Sequence, residues 1–117
     1  MLINFLLATA FYFSFNYSNN IEGRWKTELD NSVVEFAMNS GVVSGKIIAS
    51  DDKKNIGIVV IKSIVAIKNG KYECNIYDPK LKRYFDATLA FLDKDRLQVK
   101  ASCCFGLFNE TYTWKRL

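Results

Sequence analysis

Turn signals fall at short, regular intervals through most of this chain, and the residues between them alternate. Asn39-Ser40-Gly41, Asp51 to Asn55, Asn69-Gly70, Asp78-Pro79 and Asp93 to Asp95 each interrupt an apolar stretch. Gly supplies positive φ, Pro presets a bend, and Asp and Asn bond their own backbone. Between these breaks apolar side chains recur at every second residue, the period of a half-buried strand. Val34, Phe36 and Met38 share one face, with Glu35 and Ala37 opposite. Tyr72, Cys74 and Ile76 share another, as do Phe85, Ala87, Leu89 and Phe91, and then Leu97, Val99, Ala101 and Cys103. The run "IGIVVIKSIVAI" reads as one long, bent strand rather than a strand and a short helix, because β-branched residues dominate it. Asn69-Gly70 is the strongest hairpin signal. "GLFNE" reads as a turn in which Asn109 takes a left-handed conformation. "TYTWKR" then forms the last strand, with Tyr112, Trp114 and Arg116 on one face.

These elements predict an all-β fold, a single antiparallel up-and-down barrel of about eight strands. Closing a barrel removes exposed edges, and it requires the first and last strands to pair. Those strands carry Trp25 and Trp114/Arg116, so an indole stacked under a guanidinium is expected at the seam. The predicted interior is Phe36, Ile47, Tyr72, Ile76, Phe85, Leu89, Phe91, Leu97 and Val99. Such an interior can be filled by side chains or can hold one small ligand.

The 117 residues suffice for one domain. None of the 16 Lys/Arg or 12 Asp/Glu lies before Glu22. From there the basic residues are interleaved with acidic ones, so the net charge of +4 supports no nucleic-acid interface. Residues 1–20 form an apolar leader, "MLINFLLATAFYFSF" followed by "NYSNN". It is short for a membrane span and suits a signal-peptide core, with an uncleaved anchor or a core helix as alternatives. The signal reading leaves residues 21–117 as the domain, places it in the periplasm or outside the cell, and leaves no stable membrane span after processing.

The chain has three Cys and no His. A zinc site lacks its usual ligands, and Cys74, Cys103 and Cys104 read as small apolar residues. Asp78 before Pro79 reads as turn chemistry, and Asp51-Asp52 and Asp93/Asp95 as solvated loops without calcium-loop spacing. With no His and no nucleophile motif, no catalytic residue, metal or cofactor is assigned.

The residues also carry a resemblance. Gly23 and Trp25 opening the first strand, with Arg116 closing the last, resemble the lipocalin-like (calycin) barrels. Further matches lie at Asn55 and Gly57, at Ile76 to Pro79, at Tyr84, and at Thr111, Thr113, Trp114 and Arg116. Together they are similar to a family of small secreted bacterial proteins known only as a domain of unknown function. The chain departs from that family at Asn75, at Ala101-Ser102 and at Asn109-Glu110, and has "DDKKN" where many members carry Cys-x-x-Cys. The resemblance implies a lipocalin-like barrel and export, and no reaction. The expected function is a non-enzymatic barrel holding a small apolar or amphipathic, fatty-acid-like ligand. The alternative is a filled barrel acting as an interaction module through exposed aromatics such as Tyr77, Tyr84, Phe105 and Phe108.

Overall fold

The computed structural model describes residues 20–68, 70–103 and 108–117, without the side chains of Cys103 and Phe108. The leader up to residue 19, Asn69, Cys104 and Phe105 lie outside the described residues. Eight strands follow in order: β1 (Gly23–Lys26), β2 (Val33–Asn39), β3 (Val42–Ala49), β4 (Val59–Lys68), β5 (Lys71–Asp78), β6 (Arg83–Asp93), β7 (Arg96–Cys103) and β8 (Phe108–Arg116). Each pairs antiparallel with the next and β8 returns to β1, giving a closed barrel.

Local chemistry sets the turns. Ser40 and Gly41, both at positive φ, form the two-residue β2–β3 connection, the geometry that matches strand twist. The Asp78 carboxylate accepts from the backbone N–H of Lys80 and Leu81 at 2.8 and 3.2 Å, fixing the β5–β6 turn. Strand β4 is long and bent, as its β-branched run predicts. The bend is a bulge at Ser63, where φ is +57° and the register with β5 slips between Lys62 and Val65. One expected turn is wrong. Asn109 is not a left-handed turn residue but sits in β8 opposite Ser102, so the last strand starts at Phe108 rather than near Thr111. Cross-strand pairing with β7 outweighs the local turn preference of Asn.

The seam between β1 and β8 is short. It has two paired positions, Trp25 opposite Arg116 and Lys26 opposite Lys115, extended by Leu117 N–H to the Arg24 carbonyl at 3.0 Å. Arg116 reinforces it. Its guanidinium lies 4.3 Å from the Trp25 ring centroid. It also donates to the carbonyls of Asn20, Glu22 and Lys94 at 2.9, 3.2 and 3.0 Å. Gly23, at φ +121°, lies beneath it; a Cβ there would stand 3.4 Å from Nη1. Trp25 is fully buried and donates its indole N–H to the Ile21 carbonyl at 2.9 Å. This is the closed end. The β2–β3, β4–β5 and β6–β7 hairpins point the same way, and the other four connections surround the opposite end, the mouth.

Above the seal the core is dense. Val34, Phe36, Ile47, Ile61, Leu89, Leu97 and Val99 are fully buried. Phe36 needs the space left by Gly45 across the ladder, where a Cβ would come within 3.0 Å of the Phe36 ring and of Val34. Met38 continues the Phe36 face but is 57% exposed, because the β2–β3 hairpin runs past the core.

Two substitutions test this packing by urea unfolding. Trp25→Ala should destabilise the barrel by about 3–5 kcal/mol. Gly45→Ala should cost about 1–3 kcal/mol through overpacking; an unchanged midpoint would show that Phe36 has room to move.

Candidate functional site at the barrel mouth

Exposure inside the barrel rises toward the mouth along strands β5 to β8. On β6 the inward positions run from half-buried Phe91 and fully buried Leu89, through Ala87, to partly exposed Phe85. On β7 they run from fully buried Leu97 and Val99 to partly exposed Ala101. On β8 they run from buried Trp114 through half-buried Tyr112 to exposed Glu110. Cross-strand register joins Cys74, Ala87, Ala101 and Glu110 into one row, with Phe85 opposite Ile76 nearer the rim. Small side chains occupy the middle of that row, with Ile76, Phe85 and Tyr112 around them. Lower down, Trp25 and Tyr72 both meet Phe91 edge-on, with centroids 5.9 and 6.5 Å apart, and Trp114 leans on Phe36 at 6.3 Å.

The rim is polar. The Tyr112 hydroxyl donates to the Glu110 carboxylate. Burial first, then that bond and the negative charges of Glu110, Asp78 and Glu28, push the Tyr112 phenol up to about 12. It is therefore a neutral donor at physiological pH. The Arg83 guanidinium lies 4.8 Å from the Phe85 ring centroid. On the β1–β4 side the mouth is narrowed by ordered polar residues: Ser32 donates to Ser50 at 2.9 Å, and Asn31 to Asp51 at 2.8 Å.

The nine predicted interior residues divide accordingly. Phe36, Ile47, Leu89, Leu97 and Val99 are solid core, and Tyr72, Ile76 and Phe91 pack against it half-buried. Phe85 faces inward but lies at the mouth outside the buried cluster. Gly23, Trp25 and Arg116 meet at the seal; Trp114 lies one layer above and stacks on Phe36 rather than under the guanidinium. Glu110 was missed because "GLFNE" was read as a turn; extending the Tyr112–Trp114 alternation back by one step finds it. Tyr77 and Tyr84 are half-buried, with centroids 5.0 Å apart, and Tyr84 bonds the Val59 carbonyl.

Two further features stand outside the mouth. A polar concavity of about 440 Å3 follows the outer face at the Ser63 bulge, lined by Ser63, Glu73, Asn75, Asp86, Thr88 and Ser102 among others. The Cys74 thiol is buried, which pushes it up to about 12, so it carries no thiolate at neutral pH. Among the described residues no group of three or more His, Cys, Asp or Glu could hold a metal ion, and no helix is long and apolar enough to cross a membrane.

A closed eight-stranded meander with an Arg-over-Trp seal and a graded interior defines a lipocalin-like barrel. A solved structure with this architecture is protein HP1028 from Helicobacter pylori, described as belonging to the lipocalin family; it superposes with a TM-score of 0.68 over 84% of this chain and 83% of that one, at 19% identity. Residues 23–116 match the family described as "Uncharacterized protein conserved in bacteria (DUF2147)", and the chain belongs to that family. No protein of curated function matches it.

The rim chemistry is open to titration. In ultraviolet difference spectra one tyrosine should ionise near pH 12, and Glu110→Gln should lower that midpoint. The raised value also means that the stability this group contributes is complete below its unfolded pKa of about 10 and is lost as pH rises toward 12. A midpoint unmoved by Glu110→Gln would remove the carboxylate as a cause.

Proposed function

We propose that this protein is an exported, non-enzymatic barrel that holds a small apolar or amphipathic molecule in its mouth. The observation that carries the reading is the exposure gradient: fully buried Leu89, Leu97 and Val99 give way to Ala87, Ala101 and partly exposed Ile76, Phe85 and Tyr112. An apolar recess with a few convergent polar groups is the ordinary form of a small-ligand site. The Tyr112 hydroxyl is placed to orient a polar head, and Arg83 on Phe85 is the nearby cation for a fatty-acid-like carboxylate. The filled lower half limits the ligand to a short chain. Export to the periplasm or beyond is supported by the uncharged apolar leader at residues 1–20.

The filled lower half also favours a second reading, an interaction module whose outer surface meets a protein partner. The two readings part under one substitution. Ala101→Trp fills the recess. It should abolish displacement of a fluorescent short-chain fatty acid at micromolar concentration while leaving the thermal midpoint within a few degrees. Failure of the unmodified protein to bind the probe would leave the interaction module.

A further inference from the structure

The closed end carries apolar residues that the barrel does not need. Met38 and Val42 flank the β2–β3 turn, Ile67 ends β4, and Leu92 ends β6; they are 57%, 60%, 45% and 46% exposed. All three hairpins of this end are therefore tipped with a large apolar side chain. Core packing does not explain them, since each lies beyond the buried layer. Protein surfaces show scattered apolar residues as a rule, but here they share one end of the molecule.

Charge at this end leans positive, with the exposed Glu22 of the chain entering β1 set against several basic residues. Its two hairpin carboxylates are already neutralised: Asp93 by Arg96 at 2.8 Å, and Asp95 by Arg116 at 3.7 Å. The bond from Arg96 holds the Asp93 carboxyl below its ordinary range. Lys68, Lys71 and Lys94 stand on the same hairpins with no ion pair among the described residues. Lys68 and Lys71 lie directly opposite each other beside Ile67. Apolar tips among uncompensated lysines are the composition of a surface that enters the headgroup layer of an anionic bilayer. The mouth loops also expose Leu29, Ile56 and Leu81. There Glu28, Asp30, Asp51, Asp52 and Asp78 offset Lys53, Lys54, Lys80, Lys82 and Arg83, so the mouth carries no excess of positive charge for an anionic surface.

The path of the chain points the same way. Asn20 is tied to the closed end by the Arg116 bond to its carbonyl, so the apolar, uncharged residues 1–19 join the barrel at this end and not at the mouth. We propose that the closed end docks on an anionic lipid bilayer, with Met38, Val42, Ile67 and Leu92 entering the interface and Lys68, Lys71 and Lys94 meeting lipid phosphates. The mouth then faces away from the lipid. This inference is independent of what the mouth binds.

Hydrogen exchange of the full chain on vesicles tests it. With vesicles of phosphatidylglycerol and phosphatidylcholine, exchange should slow in segments 37–43, 65–71 and 91–96, and stay unchanged in 27–32, 50–56 and 79–82. Phosphatidylcholine alone should give weaker protection. Lys68→Gln and Lys71→Gln should each weaken binding of the barrel tips about fivefold, and Ile67→Ser with Leu92→Ser should remove the protection while leaving the thermal midpoint unchanged. Protection confined to residues before Asn20, protection of the mouth loops, or none on either vesicle would overturn the proposal.

Discussion

The barrel depends on one guanidinium. A cylinder of eight strands holds its shape only if the last strand returns to the first, and here that return has two paired positions. So few ladder bonds between chain ends would open readily. Arg116 ties the seam from outside the ladder. It spans β8, the chain entering β1 and the β6–β7 turn through carbonyls at Asn20, Glu22 and Lys94. Five rigid N–H donors in one plane suit this task, and lysine, with a single ammonium on a flexible stem, could not serve three carbonyls and a ring face together. The requirement propagates: a flat guanidinium needs Trp25 under it, and close approach to β1 needs Gly23 without a Cβ.

That seal explains why the interior is divided rather than uniformly hollow. Trp25 is too large to close the end as a thin plug. It reaches up to Phe91, which meets Tyr72, while Trp114 and Phe36 fill the opposite side. Aromatic side chains therefore occupy the lower layers, and Gly45 gives Phe36 its space. Above them the inward residues on β5 to β7 include the small Cys74, Ala87 and Ala101. The inward set on these strands thus changes from large to small above the aromatic layers.

Much of this was legible from alternation alone. The two-residue period placed Phe36, Ile47, Leu89, Leu97 and Val99 inside, because a one-residue slip would bury Glu35, Lys46 or Lys100 instead. The seal was legible because closure forces the terminal strands together, and both carry Trp. What failed was depth along the strand. Periodicity gives the face of a residue and not its height, so it did not tell that Met38, on the Phe36 face, overshoots the core or that Phe85 stands at the rim. The rim carboxylate was lost for a different reason. Asn109 has strong local turn chemistry, and only the ladder to Ser102 overrides it.

The same ladder gives the molecule a direction. Hairpins alternate between the ends of an up-and-down barrel, so the charges of odd and even connections are sorted onto opposite ends. Glu28, Asp30, Asp51, Asp52 and Asp78 fall at the mouth beside Lys53, Lys54, Lys80, Lys82 and Arg83, while Lys68, Lys71 and Lys94 fall at the seal. The seal end is also where structure is most redundantly fixed, by Arg116, Trp25 and Gly23 together. At the mouth the side-chain bonds are local ones, Tyr112 to Glu110, Ser32 to Ser50 and Asn31 to Asp51. A redundantly tied seal and a mouth held by local contacts are what a barrel requires if one end is to be held in place while the other exchanges a ligand.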